Sequence, residues 1–187
     1  PFEPTRPVVS PDGRHIAYRS RGTLWIRDLN SETPRQIPAG SGEKYGAGPA
    51  AAGNFYLTWS PDSRELVFPT PQQELRRVSV VEGGPSTIVC KLPPEPLSPK
   101  PRGRLLAGMA WSKDGKTIVF SVYDPGGGIF EVPASGGSPK LLWKEPHADD
   151  LFLLDTPDGR AVVFATNEPQ GHNIVVRTAN GGRRILA

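Results

Sequence analysis

Two histidines and a neighbouring aspartate are the side chains whose types and spacing come nearest to a metal or proton-transfer site. His147 and Asp149 lie in the segment KEPHADD, and His172 lies in the segment NEPQGH. Imidazole and carboxylate groups brought together by neighbouring loops could hold a metal ion or bind a carboxylate ligand. Exposed polar loop residues explain the same pattern more simply, so we predict no metal site. His15, next to a repeated turn, is interpreted as a solvent-side strand residue.

Two glycine-containing segments approach phosphate- and nucleotide-binding motifs but depart from both. AWSKDGKT has Ala110 where the first glycine of a phosphate-binding loop belongs, and no helical pattern follows it. GAGPAA places Pro49 in a relaxed dinucleotide fingerprint that lacks the strand-turn-helix context. The sequence also contains no nucleophile elbow, zinc-binding helix or paired-cysteine pattern. We therefore predict no catalytic residue, no cofactor and a role that is not enzymatic.

Composition and charge set further bounds on the function. The chain has 187 residues, with 22 basic and 19 acidic side chains and a formal net charge of +3. This mild excess differs from the strongly basic balance of a nucleic-acid-binding protein, so no nucleic-acid partner is expected. Cys90 is the single cysteine, which allows no internal disulfide, and it is interpreted as a buried strand residue. No apolar run approaches the roughly 20 residues of a membrane-spanning helix, and the first residues lack the pattern of a signal peptide.

One pattern recurs four times and organises the whole chain. The segments SPDGRHIAY, SPDSRELVF, SKDGKTIVF and TPDGRAVVF each place a basic, an aliphatic and an aromatic residue two, four and six positions after an aspartate. The aspartates, 44 to 52 residues apart, are Asp12, Asp62, Asp114 and Asp158. Self-similarity at such a period is typical of a repeat architecture.

Each repeat is predicted to form four β-strands joined by turns. Ser-Pro-Asp-Gly favours a tight turn, and the β-branched and aromatic runs after it favour strands. A four-stranded repeat of this length predicts a propeller blade. We predict blades at about residues 5–40, 54–92, 106–145 and 149–187. The large apolar side chains expected between blades are Trp59, Phe68, Trp111, Phe120 and Phe164.

The repeated Trp-Ser-Pro-Asp-Gly/Ser segment, with its basic residue and Ile-x-Phe run, resembles the WD-repeat-like motif of TolB-like propellers. The runs LWIRDL, ELRRVSVVEGGP and IFEVPASGGSPKLL are most similar to propellers of bacterial kinase-associated and uncharacterised TolB-like proteins. The resemblance covers about residues 5–187 and implies an all-β fold of four-stranded antiparallel blades. It also implies an extracytoplasmic setting, periplasmic or within a membrane-associated complex. The fourth repeat departs from the motif, because Asp155 replaces the tryptophan of the second and third repeats.

The number of repeats bears on how the propeller closes. Propellers of the kind that the motif resembles close with six to eight blades, whereas four repeats are present here. We therefore predict an open or incomplete propeller, completed by missing blades or by another chain. Its uncovered outer faces are predicted to include the apolar residues Ile16, Tyr18, Val162 and Phe164.

Loops at one end of the blades form the predicted binding surface. The connections between second and third strands and those between blades share this end, and long loops on a rigid scaffold commonly bind partners. The candidate partner-binding residues are Tyr45, Arg102, Arg104, Tyr123, Asp124, His147, Asp149 and His172. The proline-rich loop 91–104 is either a docking arm for an acidic partner or a solvated linker.

The leading hypothesis for function is a non-catalytic sensor or scaffold module that binds a protein or peptide partner through this loop-rich end. The alternative is a propeller that gates or supports an enzyme, of prolyl-oligopeptidase type or lyase-like, whose catalytic part lies outside this chain. A kinase domain upstream would favour the first hypothesis, and an α/β-hydrolase domain downstream would favour the second.

Overall fold

The computed structural model describes residues 5–20, 23–37, 56–70, 72–93, 105–123, 127–145, 147–156, 159–168 and 171–186. Within these ranges the chain forms sixteen β-strands and no helix. A helix long and apolar enough to cross a membrane is accordingly absent from the described ranges.

The strands belong to four sheets, numbered here in chain order. The first sheet contains β1 (Thr5–Val9), β2 (His15–Ser20), β3 (Thr23–Asp28) and β4 (Arg35–Ile37). The second sheet contains β5 (Thr58–Trp59), β6 (Glu65–Pro69), β7 (Glu74–Ser79) and β8 (Thr87–Lys91). The third sheet contains β9 (Leu105–Trp111), β10 (Thr117–Tyr123), β11 (Gly128–Pro133) and β12 (Lys140–Trp143). The fourth sheet contains β13 (Ala148–Thr156), β14 (Gly159–Glu168), β15 (Gly171–Thr178) and β16 (Arg183–Ile185).

Every sheet is an antiparallel meander in which each strand pairs with the next along the chain. In β10, for example, Phe120 pairs with Met109 of β9 on one side and with Phe130 of β11 on the other. The first strands of successive sheets contact one another, which places them at the inner edge of the stack. The prediction of an all-β fold with four four-stranded antiparallel blades is confirmed. In the described part of the chain no strand pairing joins the first sheet to the fourth, so the arc is open.

The repeated turn has the same hydrogen bonds in the first three sheets. The Ser10 hydroxyl donates to Asp12 Oδ1 at 2.5 Å, and the same oxygen accepts the backbone N–H of Arg14 at 3.0 Å. These bonds recur in the pairs Ser60–Asp62 and Ser112–Asp114. The serine hydrogen bond holds the pKa of each of these three aspartates below its ordinary value, because it stabilises the carboxylate. Three predicted aspartates thus occupy equivalent turns, and Asp158 lies outside the described residues.

The fourth position of the turn requires a left-handed backbone. Gly13 and Gly115 have φ angles of 69° and 73° there, and Ser63 has 61°. This conformation is unfavourable for serine. The Ser63 hydroxyl, however, accepts a hydrogen bond from the backbone N–H of Asp12 at 3.1 Å. The serine therefore links the turns of the first and second sheets.

Apolar cores lie between consecutive sheets, and residues of each second strand fill them. Leu66 and Phe68 of the second sheet share a core with Ala17 and Ile26 of the first sheet. The corresponding pairs of the third and fourth sheets, buried against the sheet before them, are Ile118–Phe120 and Val162–Phe164. Each such side chain contributes about 1.5–3 kcal/mol when it leaves water. Packing of each sheet on its predecessor therefore stabilises the arc.

Burial of the predicted core residues follows this scheme with one exception. The buried side chains among them are Trp59, Phe68, Phe120 and Phe164, as predicted. Trp111 is only half-buried. Its indole N–H donates to the Gly115 carbonyl oxygen at 3.0 Å, which holds the ring beside its own turn rather than wholly between sheets.

The prediction for the outer faces is wrong for three of its four residues. Tyr18 is buried, and Val162 and Phe164 are buried against the third sheet. Ile16 is half-buried. Residues two apart in a strand point to the same face. Because Val162 and Phe164 contact the third sheet, they cannot also lie on the opposite face of the fourth sheet. Among the described residues, the exposed apolar side chains of the fourth sheet are instead Phe152, Leu154, Ile174 and Ile185.

Polar contacts also join consecutive sheets at their rims. Arg77 Nη1 of the second sheet donates to the Ala134 carbonyl oxygen beside the third sheet at 3.1 Å. Arg177 and Arg183 of the fourth sheet lie 2.6 and 3.2 Å from Glu145 Oε1, just after the third sheet. Because the Glu145 side chain is buried, this pairing satisfies a charge that would otherwise be costly to bury.

Candidate interaction surface

The sheets have two ends of different character. The turn end contains the repeated turns, at residues 11–14, 61–64 and 113–116. The loop end contains the connections from second to third strands and those between sheets. Four candidate residues predicted at the loop end lie outside the described residues: Tyr45, Arg102, Arg104 and Asp124. Tyr123 is the last residue of β10 and lies at the loop end, with only its backbone described.

Asp149 lies at the loop end of β13 and contacts the second sheet. The Tyr56 hydroxyl donates to Asp149 Oδ1 at 2.6 Å and lies 3.1 Å from Asp150 Oδ1. Tyr56 lies two residues before β5 of the second sheet, so this contact reaches from the second sheet to the fourth. It is possible because the first strands converge at the inner edge of the arc. We call these three residues, Tyr56, Asp149 and Asp150, the axial acidic site.

A β-bulge positions the two aspartates. The pairing of β13 with β14 shifts between Asp149 and Phe152, and Asp150 has a φ of 44°. Aspartate adopts this left-handed conformation more readily than most residues. Gly108 of β9 allows the inner strands to approach, because a Cβ atom there would lie 2.6 Å from Leu151 N. The bulge and the glycine together bring the third and fourth sheets close and leave Asp150 exposed.

The structure does not join the predicted histidines and aspartate in a metal site. His147 directly precedes β13 and is half-buried, whereas His172 lies in β15 and is exposed. Among the described residues, no three histidine, cysteine or carboxylate side chains form a group that could hold a metal ion. Asp149 is instead hydrogen-bonded to a tyrosine and to the backbone N–H of Asp150. The role of His147, Asp149 and His172 in partner binding stays a prediction.

Two residues of the axial acidic site were not predicted from the sequence. Asp150 directly follows Asp149, and the acidic dipeptide alone could have indicated it. Tyr56 lies 93 residues before Asp149 in an apolar run, so no local pattern indicates the contact. The convergence of the first strands, which only the fold reveals, brings these residues together.

The turn end has an open cleft of about 240 Å³ between the third and fourth sheets. It is lined by Ser112, Lys113, Asp114 and Arg160. The Asp114 carboxylate there accepts the Ser112 hydroxyl at 2.6 Å and the Lys116 N–H at 3.0 Å. These groups maintain the repeated turn itself, so we assign the cleft a structural role.

Four antiparallel sheets, stacked in chain order with their first strands at the inner edge, define the chain as an open arc of β-propeller blades. Its structure is similar to that of a protein described as TolB from Agrobacterium tumefaciens, with a TM-score of 0.74 and 19% sequence identity. That similarity covers 100% of this chain and 62% of the other. A protein described as a 6-phosphogluconolactonase from Bacteroides uniformis is similar over 98% of this chain and 53% of its own, with a TM-score of 0.57 and 20% identity.

These comparisons establish the fold, which is that of a TolB-like β-propeller. The chain spans less than two thirds of the length of either solved structure. No protein-family model matches the sequence. No curated protein matches it either. At such sequence identities a shared fold does not fix a shared activity, so function has to be inferred from the site.

Proposed function

We propose that this chain is a non-catalytic interaction module, of sensor or scaffold type, that binds a protein or peptide partner at the loop end of the propeller. The observation that carries the proposal is the axial acidic site, where Tyr56 contacts Asp149 and Asp150 at the loop end of the inner strands. A position at the loop end of a rigid scaffold suits the recognition of a partner segment.

The chemistry of the site favours a positively charged group on the partner. Asp150 is exposed and Asp149 is half-buried, so a partner can reach both carboxylates from solvent. Two adjacent carboxylates attract a lysine or arginine side chain, and the nearby tyrosine ring offers apolar contact area beside the charge. The Tyr56 hydrogen bond to Asp149 holds one carboxylate in place, which lowers the entropy lost on binding.

The turn end is less suited to this role. Its aspartates Asp12, Asp62 and Asp114 each use Oδ1 to accept hydrogen bonds from their own turn. These hydrogen bonds hold the turn, and each aspartate is followed two residues later by a basic side chain, whereas Asp149 and Asp150 form an adjacent acidic pair. An extracytoplasmic bacterial setting, and membership in a larger assembly, form part of the same proposal and rest on the repeat resemblance.

Neutralising the two aspartates tests the proposal. Asp149→Asn/Asp150→Asn keeps oxygen acceptors at both positions but removes both charges. The matched control is Asp28→Asn at the turn end, where Asp28 Oδ1 accepts the Asn30 N–H at 2.8 Å and an asparagine oxygen can do the same. Immobilised wild type and variants are used to enrich proteins from the source organism, with quantification by mass spectrometry.

The expected result is a protein retained by wild type and by Asp28→Asn but reduced about tenfold by the double variant. A charge-assisted hydrogen bond contributes about 1.5–3 kcal/mol, which corresponds to a loss of that order or more. Equal retention of every enriched protein by the double variant would contradict the proposal.

A further inference from the structure

Two buried hydroxyl groups lie between the third and fourth sheets without a hydrogen-bond partner. Ser121 of β10 and Thr166 of β14 are at most 1% exposed. Neither side-chain oxygen has a hydrogen-bond partner among the described residues. A hydroxyl buried in this way costs free energy, because it has lost its hydrogen bonds to water. Such a group requires an explanation, and a ligand that bonds to it is one.

The Ser121 hydroxyl faces the bulge that carries the axial acidic site. Ser121 pairs with Gly108 of β9, and the side chains of two directly paired residues point to the same face of a sheet. A Cβ atom at Gly108 would lie 2.6 Å from Leu151 N and 3.2 Å from Asp150 N. The Ser121 side chain is therefore directed from the third sheet at the part of β13 that contains Asp150.

Thr166 approaches the same bulge from the fourth sheet. It pairs with Ala148 of β13, which directly precedes Asp149. Ala148 packs with Val119 in the core that the third and fourth sheets share. The Thr166 side chain lies on the same face as Ala148 and so points to the third sheet. The two hydroxyls thus flank residues 148–151 from the two sides of one interface.

Regular strand pairing is interrupted on both sides of this interface. The register of β10 with β9 shifts between Ser121 and Val122, and that of β13 with β14 shifts between Asp149 and Phe152. Bulges of this kind are frequent beside binding sites, where they reorient side chains and interrupt the ladder of hydrogen bonds. We therefore expect the third and fourth sheets to separate more easily at the loop end than at the turn end.

The hydrogen bonds of Asp149 restrict the kind of cation that it can bind. Its Oδ1 atom accepts the Tyr56 hydroxyl at 2.6 Å and the Asp150 backbone N–H at 2.9 Å, so a ligand is left with Oδ2. A guanidinium group binds a carboxylate best through two parallel hydrogen bonds, one to each oxygen. An ammonium group is a compact charge with three donors that point in different directions. One carboxylate oxygen and two hydroxyl oxygens therefore suit an ammonium group better.

We propose that the loop end recognises a lysine side chain of the partner, whose ammonium group donates to Asp149 Oδ2, Ser121 Oγ and Thr166 Oγ1. This inference rests on the proposed function and specifies the cation as lysine rather than arginine. The ammonium group enters as the third and fourth sheets move apart at the loop end. Both hydroxyls then gain the hydrogen bond that they lack in the free protein, which offsets the cost of their burial.

An NMR titration with two peptides tests the inference. The probes are Gly-Gly-Lys-Gly-Gly and Gly-Gly-Arg-Gly-Gly, each acetylated and amidated so that one cation is present. Ser121→Ala/Thr166→Val removes both hydroxyls and keeps the acidic pair. The matched control is Thr87→Val, because Thr87 is exposed on β8 of the second sheet. Thermal melts should show the double variant as stable as wild type, since it loses no hydrogen bond within the described fold. Thr166→Val alone replaces it should it unfold.

Wild type and Thr87→Val are expected to bind the lysine peptide about tenfold more tightly than the arginine peptide. The double variant is expected to lose this preference, because its affinity for the lysine peptide falls. A wild type that binds the arginine peptide equally well, or does not bind the lysine peptide, overturns the inference. So does a double variant that keeps the preference. The proposed function is tested separately, since it fails only if Asp149→Asn/Asp150→Asn retains every enriched protein.

Discussion

Ser63, at the turn between β5 and β6, occupies the position that glycine holds in the first and third sheets. Its left-handed backbone costs about 1–2 kcal/mol relative to glycine, and its hydrogen bond with Asp12 recovers about 0.5–1.5 kcal/mol. The backbone cost and the hydrogen-bond gain are of similar size. Ser63 therefore links two neighbouring sheets at little net cost in stability.

Substitution of Ser63 separates these two contributions. Ser63→Ala keeps the unfavourable backbone and loses the hydrogen bond, so we expect a loss of about 1 kcal/mol in the free energy of unfolding. Ser63→Gly loses the same bond but relieves the backbone, so its stability should stay within about 1 kcal/mol of wild type. Urea unfolding of both variants measures the difference. A Ser63→Ala variant at least as stable as Ser63→Gly would show that the backbone cost is not present.

At the scale of the sheets, Phe120 represents the packing between consecutive blades. It is fully buried, and its ring stacks on Phe130 with centroids 5.6 Å apart. Phe120→Ala should therefore lower the free energy of unfolding by about 3–5 kcal/mol, as for other large-to-small changes in a core. The matched control is Phe152→Ala, an exposed phenylalanine whose loss should cost less than about 1 kcal/mol in dilute solution. Similar melting temperatures for the two variants would contradict this assignment of the core.

Much of each sheet could be predicted because its determinants are local. The Ser-x-Asp turn contains its own hydrogen bonds, as Ser10 and Asp12 show, so the sequence alone specifies it. The alternation of apolar residues likewise indicates which strand residues are buried. Trp111 is less buried than this pattern predicts, because its indole N–H donates to a carbonyl oxygen in the adjacent turn. The rotamer that makes this hydrogen bond cannot be predicted from the residue type alone.

Features that depend on the relation between sheets could not be predicted. Alternation assigns Val162 and Val163 to opposite faces but does not say which face meets the preceding sheet. The prediction of exposed Val162 and Phe164 failed for that reason. The contact between Tyr56 and Asp149 depends in the same way on the convergence of strands from sheets that are not neighbours in the chain.

At the scale of the whole molecule, the two ends of the described sheets differ in chemistry. The turn end contains aspartates whose carboxylates accept hydrogen bonds from their own turns. The loop end presents the axial acidic site, where charge and a tyrosine hydroxyl are held near the inner edge. The proposed partner binding at the loop end can therefore be tested against substitutions at the turn end, which leave the axial acidic site unchanged.

Site-specific photo-cross-linking tests the central claim, partner binding at the loop end, most directly. A photoreactive amino acid replaces Lys144 or His172 at the loop end, and Pro11 or Lys113 at the turn end, since all four residues are exposed and none belongs to the axial acidic site. We predict covalent adducts with a partner protein from the loop-end positions and none from the turn-end positions. Adducts from the turn-end positions alone, or from no position, would contradict the claim that this propeller binds its partner through the loop end.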